Sequence, residues 1–527
     1  MAIKLFAAID VGSYEIGMKI FELSGRKGVK EIDFVRRRVE IGTDTYNTGK
    51  ISYARMDELC DILNGFNEIM KGYKVDSYRA YGTSAIRETD NTRVVLDQIR
   101  LRTGLEVSVL SNSEQRFLDY KSVALKTKDF DRIIDRGTAF VDIGGGSTQV
   151  SLFSDSHLIS TVNLRLGILR LKEKVNSLSP KSSAYESLLS ELVDNELVLF
   201  KELYLRNLDT QNLIVVDDYL TYIQKWISQR NDGKKPAGEF DNYITVGQYV
   251  RFFDILKKMP QEQLARELGL PRENATLLMP SAVLIKQLCE VTCAERLFLT
   301  GVTLSDGIAY DYAESNKFIK STHDFELDII SSARNTANRY RGSARYEETL
   351  EKCALAIFDS MKKMHGLGKR ERLLLQLSSL LQDCGAFISL MSPAECSYSI
   401  IMGTEIIGIS HMERKIIASV VMYSYPEDID FEGVDKEEFS TDSYLTMAKL
   451  TAIFRIAVGM VKNPEKEYRE VKAQIKDKEL VITIDSDMDM HLERGLFNER
   501  TGYFEEVFGI HPIIKTKSRG GVFRNHV

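Results

Sequence analysis

The feature that most constrains this chain is a repeated local unit. An apolar run at Ile3–Asp10 ends in Asp-Val-Gly-Ser, and a second run at Gly137–Asp142 ends in Asp-Ile-Gly-Gly-Gly-Ser. Each reads as a strand entering a tight turn. Apolar runs resume at Ile16–Leu23 and Thr148–Phe153, so each unit is expected to be a β-hairpin with a glycine-rich tip. A strand, acidic glycine turn and strand that recur after about 130 residues predict two related lobes, each giving a phosphate loop to a shared cleft.

Helical periodicity at Tyr53–Met70, Val94–Arg102 and Ser113–Leu125, with strands at Ser77–Thr83 and Glu106–Leu110, fills the first lobe as an α/β layer. From Ser182 to Gln229 the pattern is mostly helical. A polar Gly/Pro-bearing break at 230–242 reads as a surface loop before a strand at Tyr243–Val246. Leu284–Gly301 reads as a helix and strand, followed at Val302–Gly307 by a glycine turn closing the second lobe. Long helices are then expected at Ala333–Gly366, Lys369–Ser389, His411–Tyr423 and Ser443–Val461, and the tail reads as a small α/β unit. The boundaries expected are 1–130, 131–318, 319–465 and 466–527, in line with the division of long chains into several cores.

A phosphate chain needs backbone amides at close range, which glycine-rich turns offer without Cβ clashes. Gly12 and Ser13 in the first turn, and Gly144, Gly145, Gly146, Ser147 and Thr148 in the second, are the candidate phosphate-binding groups. Asp10 and Asp142, before each loop, are the candidate holders of magnesium (or manganese), which binds through one or two carboxylates plus phosphate oxygens. Arg87, in the small-residue segment GTSAIRETDN, is a candidate bidentate partner for a phosphoryl group. Arg165 and Arg170 read either as an extension of that cationic track or as solvated charges.

A net charge of -6 gives no general attraction to nucleic acid or to an anionic membrane, so an anionic ligand must be held locally in a cleft. The six cysteines, at 60, 289, 293, 353, 384 and 396, form no CxxC pair and suit reduced thiols. No signal-peptide pattern and no membrane-length apolar run is found, and a cytoplasmic protein is expected.

The segments IDVGS, GTSAIRETDN, VLSNSEQRFLDY, FVDIGGGSTQVSLF and the Gly167/Arg170 stretch follow one another in the order and spacing of the exopolyphosphatase and guanosine pentaphosphatase (Ppx/GppA) family. The chain resembles that family from Ile9 to about Gly307 and more weakly beyond. The resemblance implies an α/β fold of duplicated actin-like ATPase (ribonuclease H-like) lobes, then an all-α HD-like domain and a small C-terminal α/β domain. It implies removal of terminal phosphate from inorganic polyphosphate, or of the 5′ γ-phosphate of guanosine pentaphosphate, with magnesium and an activated water. It also implies homodimers.

Departures from the family pattern carry information. The family's first loop reads Gly-Ser-Asn-Ser, whereas this chain has Tyr14 and Glu15 after Ser13, and Glu15 is expected to repel an anion. The helix position that the family uses as general base is Gln115, with Glu114 before it, and an amide does not accept water's proton at neutral pH. Glu114 would need a helix shift to reach the same water. Gln149 likewise replaces a carboxylate. In the HD-like region Gln382, Tyr346, Cys396 and Ser424 stand where histidines are expected, leaving a wall or dimerisation surface, with His365 and His411 as exposed histidines. Two readings stay open: a phosphoanhydride hydrolase, and a protein that binds polyphosphate or a guanosine polyphosphate with little or no cleavage. A sugar kinase or chaperone-like ATPase on the same fold is disfavoured by GTSAIRETDN and SEQRFLDY.

Overall fold

A computed structural model describes residues 3–517 apart from 128, 179–184, 207, 218, 231–239, 241–242, 271–273, 322, 426–438, 464–465 and 467. The loop expected at 230–242 therefore lies almost wholly outside the described residues. The chain forms two units, Met1–Asp328 and Ile329–Val527.

In the first unit, the first lobe runs β1 (Lys4–Val11), β2 (Glu15–Ser24), β3 (Gly28–Arg38), α1 (Ile41–Thr48), α2 (Tyr53–Tyr73), β4 (Ser77–Gly82), α3 (Ser84–Glu88), α4 (Thr92–Thr103), β5 (Val107–Val109) and α5 (Asn112–Lys126). After α6 (Phe130–Asp135), the second lobe runs β6 (Thr138–Ile143), β7 (Thr148–Ser154), β8 (His157–Leu164), α7 (Ile168–Leu178), α8 (Tyr185–Phe200), β9 (Asn212–Val216), α9 (Leu220–Arg230), β10 (Tyr243–Thr245), α10 (Val246–Leu256), α11 (Gln261–Leu268), α12 (Ala275–Thr292), β11 (Arg296–Leu299) and α13 (Leu304–Ser315).

The first sheet has the order β3-β2-β1-β4-β5, and the second contains β8-β7-β6-β9-β11, with β10 added at its edge. In both, three antiparallel strands lead into parallel neighbours, β1 beside β4 and β6 beside β9. The duplication seen in the two hairpins therefore extends through both sheets. Strand β9, Asn-Leu-Ile-Val-Val, fell inside the stretch expected to be helical. It is buried throughout, so it lacks the alternation that distinguishes a strand.

Alternation along β1 sends Ala7, Ile9 and Val11 into one core, and Phe6 and Ala8 into another that contains Leu118 of α5 and Leu304 and Ile308 of α13. Asp10 shares the second face, because side chains repeat every two residues along a strand. In β6, Ala139, Val141 and Ile143 enter the second lobe's core, which puts Asp142 on the opposite face with Phe140. Tyr120 of α5 packs its ring 6.1 Å from Phe140 and 5.4 Å from Phe153. Helix α5 thus packs against both lobes, on the faces that carry Asp10 and Asp142.

The segment Val302–Gly307 is not a glycine turn. Thr303 and Asp306 form a capping box at the start of α13, and Gly307 lies inside the helix. A Cβ at Gly307 would stand 2.3 Å from the Leu118 carbonyl oxygen, so glycine there permits the close crossing of α13 and α5. Asp306 also accepts from the buried Lys19 ammonium at 2.9 Å, tying α13 to β2.

The second unit takes in most of α14 (Phe325–Arg339), then α15 (Ala344–Ser360), α16 (Lys362–His365), α17 (Lys369–Leu380), α18 (Pro393–Gly403), α19 (His411–Met422) and α20 (Thr441–Met460). The single helix expected at Ala333–Gly366 is broken by Arg341, at φ +56°, and by Gly342. Strands β12 (Glu470–Lys476) and β13 (Glu479–Asp485), helices α21 (His491–Asn498) and α22 (Thr501–Phe508), and strand β14 (His511–Lys517) complete it with a three-stranded sheet.

His365 is buried, not exposed. Its Nδ1 accepts from the Leu367 amide at 2.9 Å and its Nε2 donates to the Phe358 carbonyl at 2.9 Å, which fixes a neutral ring whose pKa burial lowers. Gln382 is buried and accepts the Ser424 hydroxyl on its side-chain oxygen at 3.1 Å. Tyr346, near Asp383, is buried too. These are the packed, hydrogen-bonded contacts of a helical core. No described helix is long and apolar enough to cross a membrane.

Lys19→Met would leave Asp306 buried without its cation. We expect a loss of about 3–5 kcal/mol, read from the chemical unfolding of the first unit.

Candidate active site

The two hairpin tips meet. A Cβ built on Gly145 would lie 3.1 Å from the Ser13 Cβ, and one on Gly146 would lie 2.0 Å from the Tyr46 hydroxyl. The Ser13 hydroxyl hydrogen-bonds with Tyr46 at 2.8 Å and Ser84 at 3.1 Å, so α1 and α3 brace the first tip.

The orientation of the second tip follows from helix capping. The first amides of a helix lack intrahelical partners. At α7 the Ile168 amide donates to the Gly144 carbonyl at 3.1 Å, and the Leu169 and Arg170 amides to the Gly145 carbonyl at 3.0 and 3.1 Å. The Arg170 Nε donates to the Gly146 carbonyl at 2.7 Å. In a planar trans peptide the N–H opposes the C=O. The amides of Gly145, Gly146 and Ser147 therefore point away from α7, a row of three donors of the kind that binds phosphate. Close approach of the α7 start to the tip requires Gly167, where a Cβ would lie 2.2 Å from the Gly146 carbonyl carbon.

Around these tips lies a cavity of about 130 Å³, lined by Asp10, Gly12, Ser13, Tyr14, Glu15, Gln115, Asp119, Asp142, Gly144, Gly145 and Ser147. The Gln115 amide donates to Asp142 at 3.3 Å. One helical turn on, at the same face of α5, stands Asp119. It is 1% exposed, and burial, with the charges of Asp142 and Asp10 beside it, holds its carboxyl well above the usual carboxylate range.

Among the described residues no three metal-ligating side chains converge as a ready-made cation site. Asp10 and Asp142 nonetheless suit magnesium, which takes one or two carboxylates and completes its octahedron with water and phosphate oxygens.

Three expected residues are placed elsewhere. The Glu114 carboxylate accepts from the Ser111 amide at 2.9 Å in a capping box, which turns it to the helix start rather than to the cavity. Arg87 donates to the Leu110 carbonyl at 2.7 Å and fastens the loop before α5. The Thr148 hydroxyl donates to the Leu166 carbonyl inside the core. Gly146 serves the contact with Tyr46, although its peptide still belongs to the amide row. Glu15 is paired with Arg36 at 3.0 Å, so its charge is partly offset. Arg170 joins Glu88 at 2.6 Å and covers the Tyr46 ring, linking the lobes. The sequence motifs do not single out Asp119, Tyr46 or Ser84. For Asp119 a signal existed, an acid inside the apolar run Phe117–Tyr120 and four residues after Gln115. No sequence pattern marked Tyr46.

The Ppx/GppA phosphatase family model matches residues 25–316, and the family's domain III model matches residues 330–499. The chain belongs to the Ppx/GppA phosphatase family. Among curated Ppx/GppA relatives, a guanosine-5′-triphosphate,3′-diphosphate pyrophosphatase of Photobacterium profundum is 21% identical over 425 residues, 79% of this chain and 80% of that protein. Exopolyphosphatase 1 of Mycobacterium bovis is 25% identical over 190 residues, 36% of this chain and 54% of that protein. The crystal structure of an exopolyphosphatase from Cytophaga hutchinsonii superposes with a TM-score of 0.52 at 18% identity, covering 59% of this chain and 98% of that one. That likeness establishes the actin-like fold of the family in this chain.

Two outcomes follow for this Ppx/GppA site. Gly167→Ala should displace the 144–147 loop and abolish measurable binding of short-chain polyphosphate in calorimetric titration, with the first unit still folded by circular dichroism. Asp119→Asn removes a group whose folded pKa is raised. Such a group leaves stability intact below its unfolded pKa, about 3.9, and lowers it as pH rises through the folded pKa. Without divalent cations the variant should therefore melt a few degrees above wild type at pH 7, with the gain vanishing near pH 4.

Proposed function

We propose that this chain is a phosphoanhydride hydrolase that removes terminal phosphate from a linear chain of phosphoryl groups, inorganic polyphosphate or the 5′ γ-phosphate of guanosine pentaphosphate. The observation that supports this most directly is the row of amides from Gly145, Gly146 and Ser147, fixed by the carbonyl contacts to α7 and facing the Ser13 tip.

In this reading the amides and the Ser13 and Ser147 hydroxyls hold the equatorial phosphoryl oxygens, where charge builds up in the transition state. Asp10 and Asp142 would hold a magnesium ion, whose charge offsets that of the phosphates. Gln115 holds Asp142 through its amide and would orient the attacking water. Asp119 lines the cavity one turn beyond Gln115 and is the carboxylate placed to accept the water's proton as its oxygen bonds to the terminal phosphorus. The bridging P–O bond breaks, releasing orthophosphate and a chain one unit shorter.

A second reading, binding without turnover, is favoured by two specific positions. Gln115 is an amide hydrogen-bonded to Asp142, and Gln149, directly across the β6–β7 ladder from Asp142, is a buried amide.

Phosphate release from long-chain polyphosphate with magnesium, run beside a binding titration, separates the two. The hydrolase reading expects turnover in wild type and a fall of about 100-fold or more in Asp119→Asn at similar affinity. A wild type that binds polyphosphate without turnover, and gains it in Gln115→Glu, would establish the second reading. Absence of binding to any phosphorylated ligand would end both.

A further inference from the structure

The first hairpin tip, Gly12-Ser13-Tyr14-Glu15, places a large aromatic side chain directly after two small residues. A tip residue of a hairpin would ordinarily face solvent, yet Tyr14 is 7% exposed and belongs to the apolar core of the second lobe, in a cluster with Ile143, Ile168 and Leu169. Its phenol donates to the Asn274 side-chain oxygen at 3.4 Å, just before α12. The Arg38 guanidinium lies 4.9 Å from the ring centroid, and the Tyr14 carbonyl accepts from the Val39 amide at 3.1 Å. Backbone and ring are thus both held, and a side chain of the first lobe is lodged in the second.

Tyr14 and Asn274 are also part of the cavity wall, together with Tyr219 and the backbone run Val302–Ser305 of the second lobe. A substrate portion that lay along that wall would meet the Tyr14 ring and Asn274. With Tyr14 in place the cavity amounts to about 130 Å³, well under the ~300–1,000 Å³ of pockets that enclose drug-sized organic ligands. A run of phosphoryl groups is narrow and has no ring system. A guanosine carries a purine and a ribose, and a cavity this small makes room for them beside this wall only if the buried, hydrogen-bonded phenol moves.

We propose that Tyr14 is a specificity-determining wedge that restricts the cleft to unsubstituted inorganic phosphate chains and disfavours nucleoside-bearing ones. The inference rests on the phosphate-chain reading of the site and narrows its substrate class. Discrimination by a filled pocket is characteristically about 10–200-fold, which sets the size of the effect.

The test compares affinities for inorganic tripolyphosphate and guanosine pentaphosphate by calorimetric titration in wild type, Tyr14→Ala, Tyr14→Asn and Asn274→Ala. Wild type should prefer tripolyphosphate by about tenfold or more, and Tyr14→Ala should shrink that preference about tenfold by gaining nucleotide affinity. Asn274→Ala, which keeps the ring and removes its hydrogen-bond partner, should shift the ratio in the same direction by less. A purely structural Tyr14 would change both affinities together. An unaltered ratio in folded Tyr14 variants, or equal affinity in wild type, overturns the wedge while leaving the phosphate-chain reading standing. If Tyr14→Ala does not fold, Tyr14→Asn supplies the ratio. Wild type that binds neither ligand refutes the functional reading itself, and the wedge with it.

Discussion

The capping of α7 by the carbonyls of Gly144 and Gly145 is the contact on which the site depends. A helix start has amides to satisfy, and here it satisfies them on a neighbouring glycine loop instead of on its own side chains. The consequence is directional. With the carbonyls committed to α7, the opposing amides face the first hairpin, and a short flexible turn becomes a fixed row of donors. Gly167 is the steric condition for this contact, since nothing larger fits against the Gly146 backbone. Arg170 then carries the arrangement across to the first lobe through Glu88 and Tyr46.

Helix α5 is the other organising element. It lies against both sheets, with Leu118 in one core and Tyr120 edge-on to Phe140 of β6 and tilted against Phe153 of β7. Packing on both sides leaves one stripe for Gln115 and Asp119, and that stripe faces Asp142. The charge on the first lobe's side of the helix is managed separately. Lys19 and Asp306 neutralise each other, and Gly307 lets α13 lie close to α5. Burial of a carboxylate at Asp119 costs stability unless something in the cleft compensates it, the pattern expected where a site is shaped for a ligand rather than for the resting fold.

Much of the first unit was legible because its signals are local. The hairpins, the glycine tips and the acids before them are set by alternation and turn chemistry over a few residues. Where burial is complete on both faces, as at β9, alternation disappears and the strand could not be told from helix. Gly307 is ambiguous in sequence for a related reason: glycine marks turns and close helix crossings alike, and only the neighbouring Leu118 carbonyl distinguishes them. In the second unit helical periodicity was plain, but the break at Arg341–Gly342 and the burial of His365 depend on which helices pack together.

The sequence by itself determined the two-lobed plan and the family, because five ordered motifs and a repeated strand-turn-strand unit are written in consecutive residues. It also determined that residue 115 is an amide. What only the tertiary structure decided is which polar groups reach the cleft. Glu114 is taken by its own helix start, Arg87 by the Leu110 carbonyl and Thr148 by the Leu166 carbonyl, while Asp119 and Tyr14 are brought in from positions that look like core and turn. The physical reason is that a side chain's hydrogen-bonding capacity is committed to whichever partner packing places nearest. Some of those partners are close in the chain, as Ser111 is to Glu114, and others come from distant elements, as Asn274 does to Tyr14.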